Sequence, residues 1–312
     1  MATHLPGAAA LRLGCFGLHG YRTSRRVAPL PWAGAVELES DITPGGCHGT
    51  VPAKPVGGQE ARAETRRSGR SIRTLSTVVV AVIGIYHDPC SACKFVVARP
   101  SQQPELWMSY LDGARETYRK YDVESVLQYD RICDGGSTAI FFTALETDGH
   151  VAGGMRVEGR YESADQAYAV QEWAGRETAL QVHREISERI PAGVIEMKAG
   201  WVRADAWRRR ELTAGLARMC IHSMNLMGVR YALGTVATHA VKRWQTTGGV
   251  VSANVAPIAY PDDRYRTVLM WWDRKTFADL AAFEQLPAIM DESAQLTAGA
   301  RCDGSIPSRV DL

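Results

Sequence analysis

The chain has 312 residues, 46% hydrophobic and 22% charged, which supports a sizeable packed core and excludes a wholly disordered chain. A net charge of +2 gives no general drive toward nucleic acid or an anionic membrane. The longest apolar run, residues 78–86, is nine residues, against the roughly 20 that a spanning helix needs, so no membrane span is expected.

Charge and chain breakers are unevenly spread. Residues 1–73 hold 10 of the 36 Lys and Arg but only 5 of the 34 Asp and Glu. Glycine and proline are enriched in the same segment, and a periodic apolar pattern is missing from it. Residues 1–76 therefore read as a disordered basic extension, residues 77–290 as one folded domain and residues 291–312 as a loose tail. Seven cysteines are neither dense nor even in number, so a reducing, cytoplasmic setting is expected. Arg12 excludes a lipoprotein cleavage site at Cys15. Cys90 and Cys93 form one CxxC without a second ligand pair, which reads as ordinary thiols and no metal site.

In chain order, Thr77–Tyr86 reads as a buried strand or equally as a short apolar extension packed on the domain, and Lys94–Ala98 as a strand, from β-branched runs. Pro104–Val126 reads as a helix with Trp107, Tyr110, Leu111, Ala114 and Tyr118 on one face. Ser137–Glu146 and Val151–Val157 form a hairpin around Asp148-Gly149. Ser163–Ile190 reads as a charged helix. Val194–Val202 is a strand, Trp207–Met227 a long helix ended by Gly228 and Tyr231–Ala237 a strand. Ala240–Thr247 is a short helix, Val250–Ile258 and Arg266–Trp272 are strands, and Thr276–Met290 is a last helix. The order predicts an α/β fold with a mixed sheet flanked by helices.

The segment from Glu196 to Val250 carries a resemblance. Arg210-Glu211-Leu212-Thr213-Ala214-Gly215 opens a helix after a strand, and Ala240-Val-Lys-Arg-Trp244-Gln-Thr-Thr-Gly248 follows the next strand. This resembles the GNAT acyltransferase superfamily, whose acyl-carrier loop reads Arg/Gln-x-x-Gly-x-Gly/Ala. Asp148-Gly-His-Val-Ala-Gly-Gly-Met-Arg156, Leu127-Gln-Tyr-Asp130 and Glu196-Met-Lys198-Ala199-Gly-Trp-Val202 resemble the acyl-homoserine-lactone synthase and long-chain N-acyl amino acid synthase branch. Leu127 and Ala199 stand where that branch has an aspartate and an arginine, which argues against homoserine-lactone synthesis. The resemblance implies a mostly antiparallel GNAT sheet and acyl transfer from a thioester to a small amine such as an amino acid. The thioester is carried by the phosphopantetheine of an acyl carrier protein or by CoA as co-substrate, with no tightly bound cofactor. The alternatives are an acetyl-CoA-dependent acetyltransferase and a non-catalytic module that binds acyl carriers.

The residues acquire expected roles from that frame. A glycine-bearing turn at a helix N-terminus offers unpaired N–H groups to phosphate, which assigns Arg208, Arg209, Arg210, Thr213, Ala214 and Gly215 to the donor. Glu196, in an apolar strand, suits a general base with a raised pKa, or a carboxylate paired with Arg156 across the sheet. Gly200 permits a bulge whose backbone N–H meets the oxyanion. Asp130, Lys198, Trp201, Trp244 and Trp271 are expected around the substrates. For Asp130 the alternative is a turn cap; for Trp244 and Trp271 it is core packing. Arg203, Arg208–Arg210, Arg218, Lys242 and Arg243 form either a docking edge for an acidic carrier protein or an ordinary solvated face.

Overall fold

The computed structural model describes residues 82–302. The expected extension, the first residues of the first expected strand and residues 303–312 lie outside the described residues. Among the described residues nine strands form one sheet: β1 (Gly84–Asp88), β2 (Cys93–Ala98), β3 (Ile140–Leu145), β4 (Val151–Gly159), β5 (Val194–Val202), β6 (Tyr231–Ala237), β7 (Val250–Val251), β8 (Ile258–Ala259) and β9 (Arg266–Asp273). The order is β1-β2-β3-β4-β5-β6-β9-β7, with β8 also paired to β9. Every pairing is antiparallel except that of β5 with β6. This is the mixed, mostly antiparallel sheet that the sequence leads one to expect.

The helices are α1 (Pro104–Lys120), α2 (Glu124–Leu127), α3 (Tyr129–Ile132), α4 (Tyr168–Glu172), α5 (Ala179–Arg189), α6 (Arg209–Met227), α7 (Val241–Gln245), α8 (Phe277–Leu280) and α9 (Leu286–Cys302). Pro104 opens α1 and Arg119 and Lys120 close it, as the dipole favours. Its Trp107, Tyr110, Leu111, Ala114 and Tyr118 are buried. Strand alternation sends Phe141 toward α1, where its ring lies 5.1 Å from Trp107. Phe95, paired with Ala144, points to the other face and meets Gly215 of α6. The sheet is thus covered on both sides.

Five expected elements come out differently. The strand expected over 250–258 is two short pieces, β7 and β8, and the helix expected over 276–290 is α8, a 3-10 turn (Phe283–Gln285) and the start of α9. The helix expected over 163–190 is broken: a 3-10 turn (Ala164–Gln166), α4 and α5 are separate pieces. The helix expected over 104–126 stops at Lys120, and Asp122 takes a positive φ of 56° before α2. Residues 291–302 are helical rather than loose, because α9 buries Glu292 and Leu296 against the body of the domain. Arg218 of α6 donates to Glu292 at 2.6 and 2.8 Å, and lies 3.2 Å from Asp88 of β1. His222 Nε2 lies 2.7 Å from the same Glu292 carboxylate. Arg218 is therefore spent on a buried network and is not part of a docking edge. Among the described residues no helix is long and apolar enough to cross a membrane.

Candidate active site

The parallel pairing of β5 and β6 runs only from Val194↔Tyr231 to Met197↔Gly234. Beyond it both strands continue and part. The parting opens a cavity of about 60 Å³, lined on the β5 side by Lys198, Ala199 and Gly200 and on the β6 side by Gly234, Thr235 and Val236. Met155, Met197, Trp244 and Trp272 give it an apolar wall, and Arg156, Glu172 and Tyr260 a polar one. The bulge expected near Gly200 is present. The register against β4 shifts between Gly154 and Arg156, and Ala199 takes a left-handed φ of 48°. Tyr110 donates its hydroxyl to the Ala199 carbonyl at 2.6 Å, which holds the bulge from α1.

The polar wall is a cluster of buried charges. Lys198 donates to Glu172 Oε1 at 2.9 Å, lies 3.6 Å from Glu196 Oε1, and sits over the Tyr168 ring at 3.9 Å. Burial works against the Lys198 charge, but Glu172 and Glu196 more than offset it and its pKa rises. Glu196 is fully buried and does not line the cavity. It accepts from the backbone N–H of Tyr168 at 2.7 Å, that of Ala169 at 3.1 Å and the Tyr161 hydroxyl at 2.9 Å. Burial pushes its pKa up to about 7 against the pull of Lys198, with Glu172 and Glu158 raising it further.

Arg156 lines the cavity but pairs with Glu158, not Glu196. The pairing of the sheet explains why: Arg156 stands opposite Lys198, and Glu158 opposite Glu196. Two buried polar atoms of the wall, Glu172 Oε2 and Arg156 Nε, have no hydrogen-bond partner among the described residues. A buried unsatisfied polar atom costs about 1–3 kcal/mol, so its persistence at a cavity needs a reason.

The donor residues are placed less as expected. Helix α6 begins at Arg209, after Arg208 in a left-handed conformation, and the Leu212 N–H already bonds the Arg208 carbonyl at 2.9 Å. The unpaired N–H groups thus fall at 209–211, not at 213–215. Thr213 is buried and donates to the Arg209 carbonyl at 2.6 Å. Gly215 packs against Phe95, where an added Cβ would lie 3.1 Å away, so its smallness serves helix–sheet contact. Ala214 lies within the same turn of helix. Arg209, Arg210 and Arg243 remain together at the start of α6, with Arg243 donating to the Arg210 carbonyl at 3.4 Å. Burial, and then the charges of Arg210 and Arg209, lower the pKa of Arg243. Arg208 is held by the carbonyls of Pro89 and Cys90 at 3.3 and 3.0 Å.

Other expectations sort by face. Trp244 lines the cavity edge-on to Trp272, their rings 5.8 Å apart. Trp271 points the opposite way, donating to Glu185 at 2.9 Å under Arg189, so Trp272 takes the lining place. Trp201 lies outside the cavity, because the bulge resets the alternation and carries it under α1 at Gly113. Asp130 is exposed on α3 and away from the cavity, while Gln128 turns inward and donates to the Tyr168 hydroxyl. Arg203 is held by Glu146 and Asp205. Glu172, Tyr161 and Tyr260 were not singled out from the sequence. Glu172 looks like any charge of a long helix there.

No family model matches the chain. It is 46% identical over 204 residues to an uncharacterized protein of Mycobacterium tuberculosis (strain ATCC 25618 / H37Rv) and to one of Mycobacterium bovis, covering 65% of this chain and 78% of theirs. Among solved structures it is similar to FeeM, an N-acyl amino acid synthase from uncultured soil microbes, at a TM-score of 0.46 and 10% identity, covering 62% of this chain and 97% of that one. It is also similar to TofI in an apo form (0.41, 17%, 64% and 98%) and to BjaI, a CoA-dependent acyl-homoserine lactone synthase with SAM and isopentyl-CoA (0.40, 15%, 69% and 99%).

Proposed function

The chain belongs to the family of the mycobacterial proteins that it matches, and we propose that it is an N-acyltransferase, moving an acyl group from a thioester to a small amine such as an amino acid. The observation that carries this reading is the pair of unpartnered atoms in one cavity wall, Glu172 Oε2 and Arg156 Nε. An ammonium satisfies the first and a carboxylate the second, and a small zwitterion offers both.

Glu172 is the general base that neutralises the amine. Lys198 holds that carboxylate in place. The bulge backbone at Ala199–Trp201 is positioned for the carbonyl oxygen, which gathers negative charge as the amine attacks. The leaving thiolate has a free pKa near 8.5 and departs without a strong acid, so Trp244 serves as a wall. The acyl chain lies in the parting of β5 and β6, against Met155, Met197 and Trp272. The phosphate of CoA or of a carrier protein's phosphopantetheine meets the start of α6, where Arg209, Arg210 and Arg243 lie together. Trp207, 67% exposed beside these arginines, gives an acidic carrier protein an apolar anchor.

A second reading concerns the donor. The cavity of about 60 Å³ is under half the roughly 150 Å³ that admits a benzene elsewhere, which favours acetyl or another short chain. The test is to incubate the purified protein with thioesters of graded chain length and a panel of amines. Thiol release and the mass of the product are read together. Acyl-amine formed with equimolar thiol supports the reading; thiol release without it, or no release, overturns it.

A further inference from the structure

The structure holds a second polar cleft on the far side of the buried charges. It is lined by Glu158, Tyr161, Gln128, Arg131, Arg160 and Tyr168 among others. Between the cavity and this cleft stands Glu196, buried in the domain and in contact with neither. Tyr161 places one hydroxyl 2.9 Å from Glu196 Oε2 and 3.2 Å from Glu158 Oε2. On the other side Lys198 links Glu196 to Glu172 at 3.6 and 2.9 Å.

We propose that Glu196, Tyr161 and Glu158 form a proton outlet, carrying the proton released by acyl transfer from the cavity to the cleft. The proposal rests on the acyltransferase reading and adds a route to it. The ammonium of the acceptor gives one proton to Glu172. Its nitrogen then bonds the thioester carbonyl carbon, the C–S bond breaks, and the second N–H proton goes to the departing thiolate. Amide and thiol are neutral, so one proton remains on Glu172. Lys198 takes it while giving one of its own to Glu196. Protonated Glu196 donates to Tyr161, whose own proton passes to Glu158 and so to water in the cleft.

The groups that face this route are Arg156 and Glu158 on β4, Tyr161 after it, Tyr168 and Glu172 on α4, and Lys198 on β5. The bridging hydroxyl is the element that packing does not require. A buried Tyr with only structural duty could bond one carboxylate; this one spans two, and one of those borders the solvent cleft. A carboxyl titrating near neutrality, with a pKa pushed up to about 7, can both take and release a proton at working pH.

The experiment uses Tyr161→Phe, which removes one oxygen, and Glu158→Gln beside it. The protonation of Glu196 is followed by its infrared carboxyl band after a pH jump in the free protein. The outlet predicts at least tenfold slower protonation in both variants, with a smaller final extent in Glu158→Gln, because the Glu158 charge raises the Glu196 pKa. Equal rates in wild type and Tyr161→Phe overturn it, whether or not the protein transfers acyl groups. In turnover, kcat falls at least tenfold with KM for both substrates unchanged. A variant that changes KM alone, or neither, also overturns it. Absence of turnover in the wild type instead removes the acyltransferase reading and leaves the pH-jump result to stand by itself.

Discussion

The ammonium of Lys198 lies 2.9 Å from the carboxylate of Glu172, both side chains nearly out of reach of water. Removing one member of such a pair leaves a buried charge uncompensated, which costs about 3–5 kcal/mol. Lys198→Met should therefore lower unfolding stability by about that amount. Adding Glu172→Gln to it should recover at least half of the loss. Urea denaturation of the two single variants and the double variant closes the cycle, and additive losses would contradict the pairing.

Glu196 makes stability depend on pH. Its pKa is raised on folding, from 4.5 to about 7. Its contribution is therefore fully present below the unfolded value and lost as pH rises through the folded one. The change amounts to about 3 kcal/mol between acid and alkaline ends of that window. Glu196→Gln should flatten the decline in stability between pH 5 and pH 8, whatever its absolute stability, because the glutamine does not titrate. Chemical denaturation at a series of pH values checks this.

The network at α9 has the opposite sign. Burial alone would raise the Glu292 pKa, but His222 and Arg218 hold it below the ordinary carboxylate range. Its stabilisation is present above that range and lost as pH falls through it. Arg218→Met should cost about 3–5 kcal/mol at neutral pH. The gap between the variant and the wild type should narrow in acid. Paired melts at neutral and acid pH measure it.

Glycine in a helix interior is usually improved by alanine, by about 1 kcal/mol. Gly113 in α1 should behave in reverse. An added Cβ would stand 2.1 Å from the Trp201 ring, which is wedged between α1 and the sheet. Gly113→Ala should lose about 1–3 kcal/mol through overpacking. Denaturation against Gly175→Ala, where an added Cβ meets nothing within 4 Å but φ is positive, separates packing from backbone strain.

Strand content was legible because runs of β-branched and apolar residues five or more long mark buried strands. β2, β5, β6 and β9 appear within a residue or two of their sequence bounds. The cavity was legible only in part. Arg156, Lys198, Gly200 and Trp244 do border it, as read from motif positions. Glu172 was hidden because helical periodicity over 163–190 continues across the real breaks. Those breaks turn the Tyr168 and Ala169 N–H groups onto Glu196 and set Glu172 against Lys198. A three-dimensional pairing decides them, and no local pattern records it. Trp201 and Trp271 were misplaced for a simpler reason. One bulged residue resets a two-residue period, and adjacent residues of a strand face opposite ways. The donor motif misled because a glycine fits a phosphate loop and a tight helix–sheet contact equally well in sequence.

Glu172 is proposed to take the proton of a small amine during acyl transfer. Mass spectrometry of solvent extracts, from a bacterium expressing the full chain, tests it most directly. Wild type should produce N-acyl amines that are absent, or at least 100-fold fewer, with Glu172→Gln at equal amounts of folded protein, in keeping with the 10²–10⁴-fold that a general base contributes. The same acyl-amines at the same level from both proteins, or none from the wild type, would contradict it.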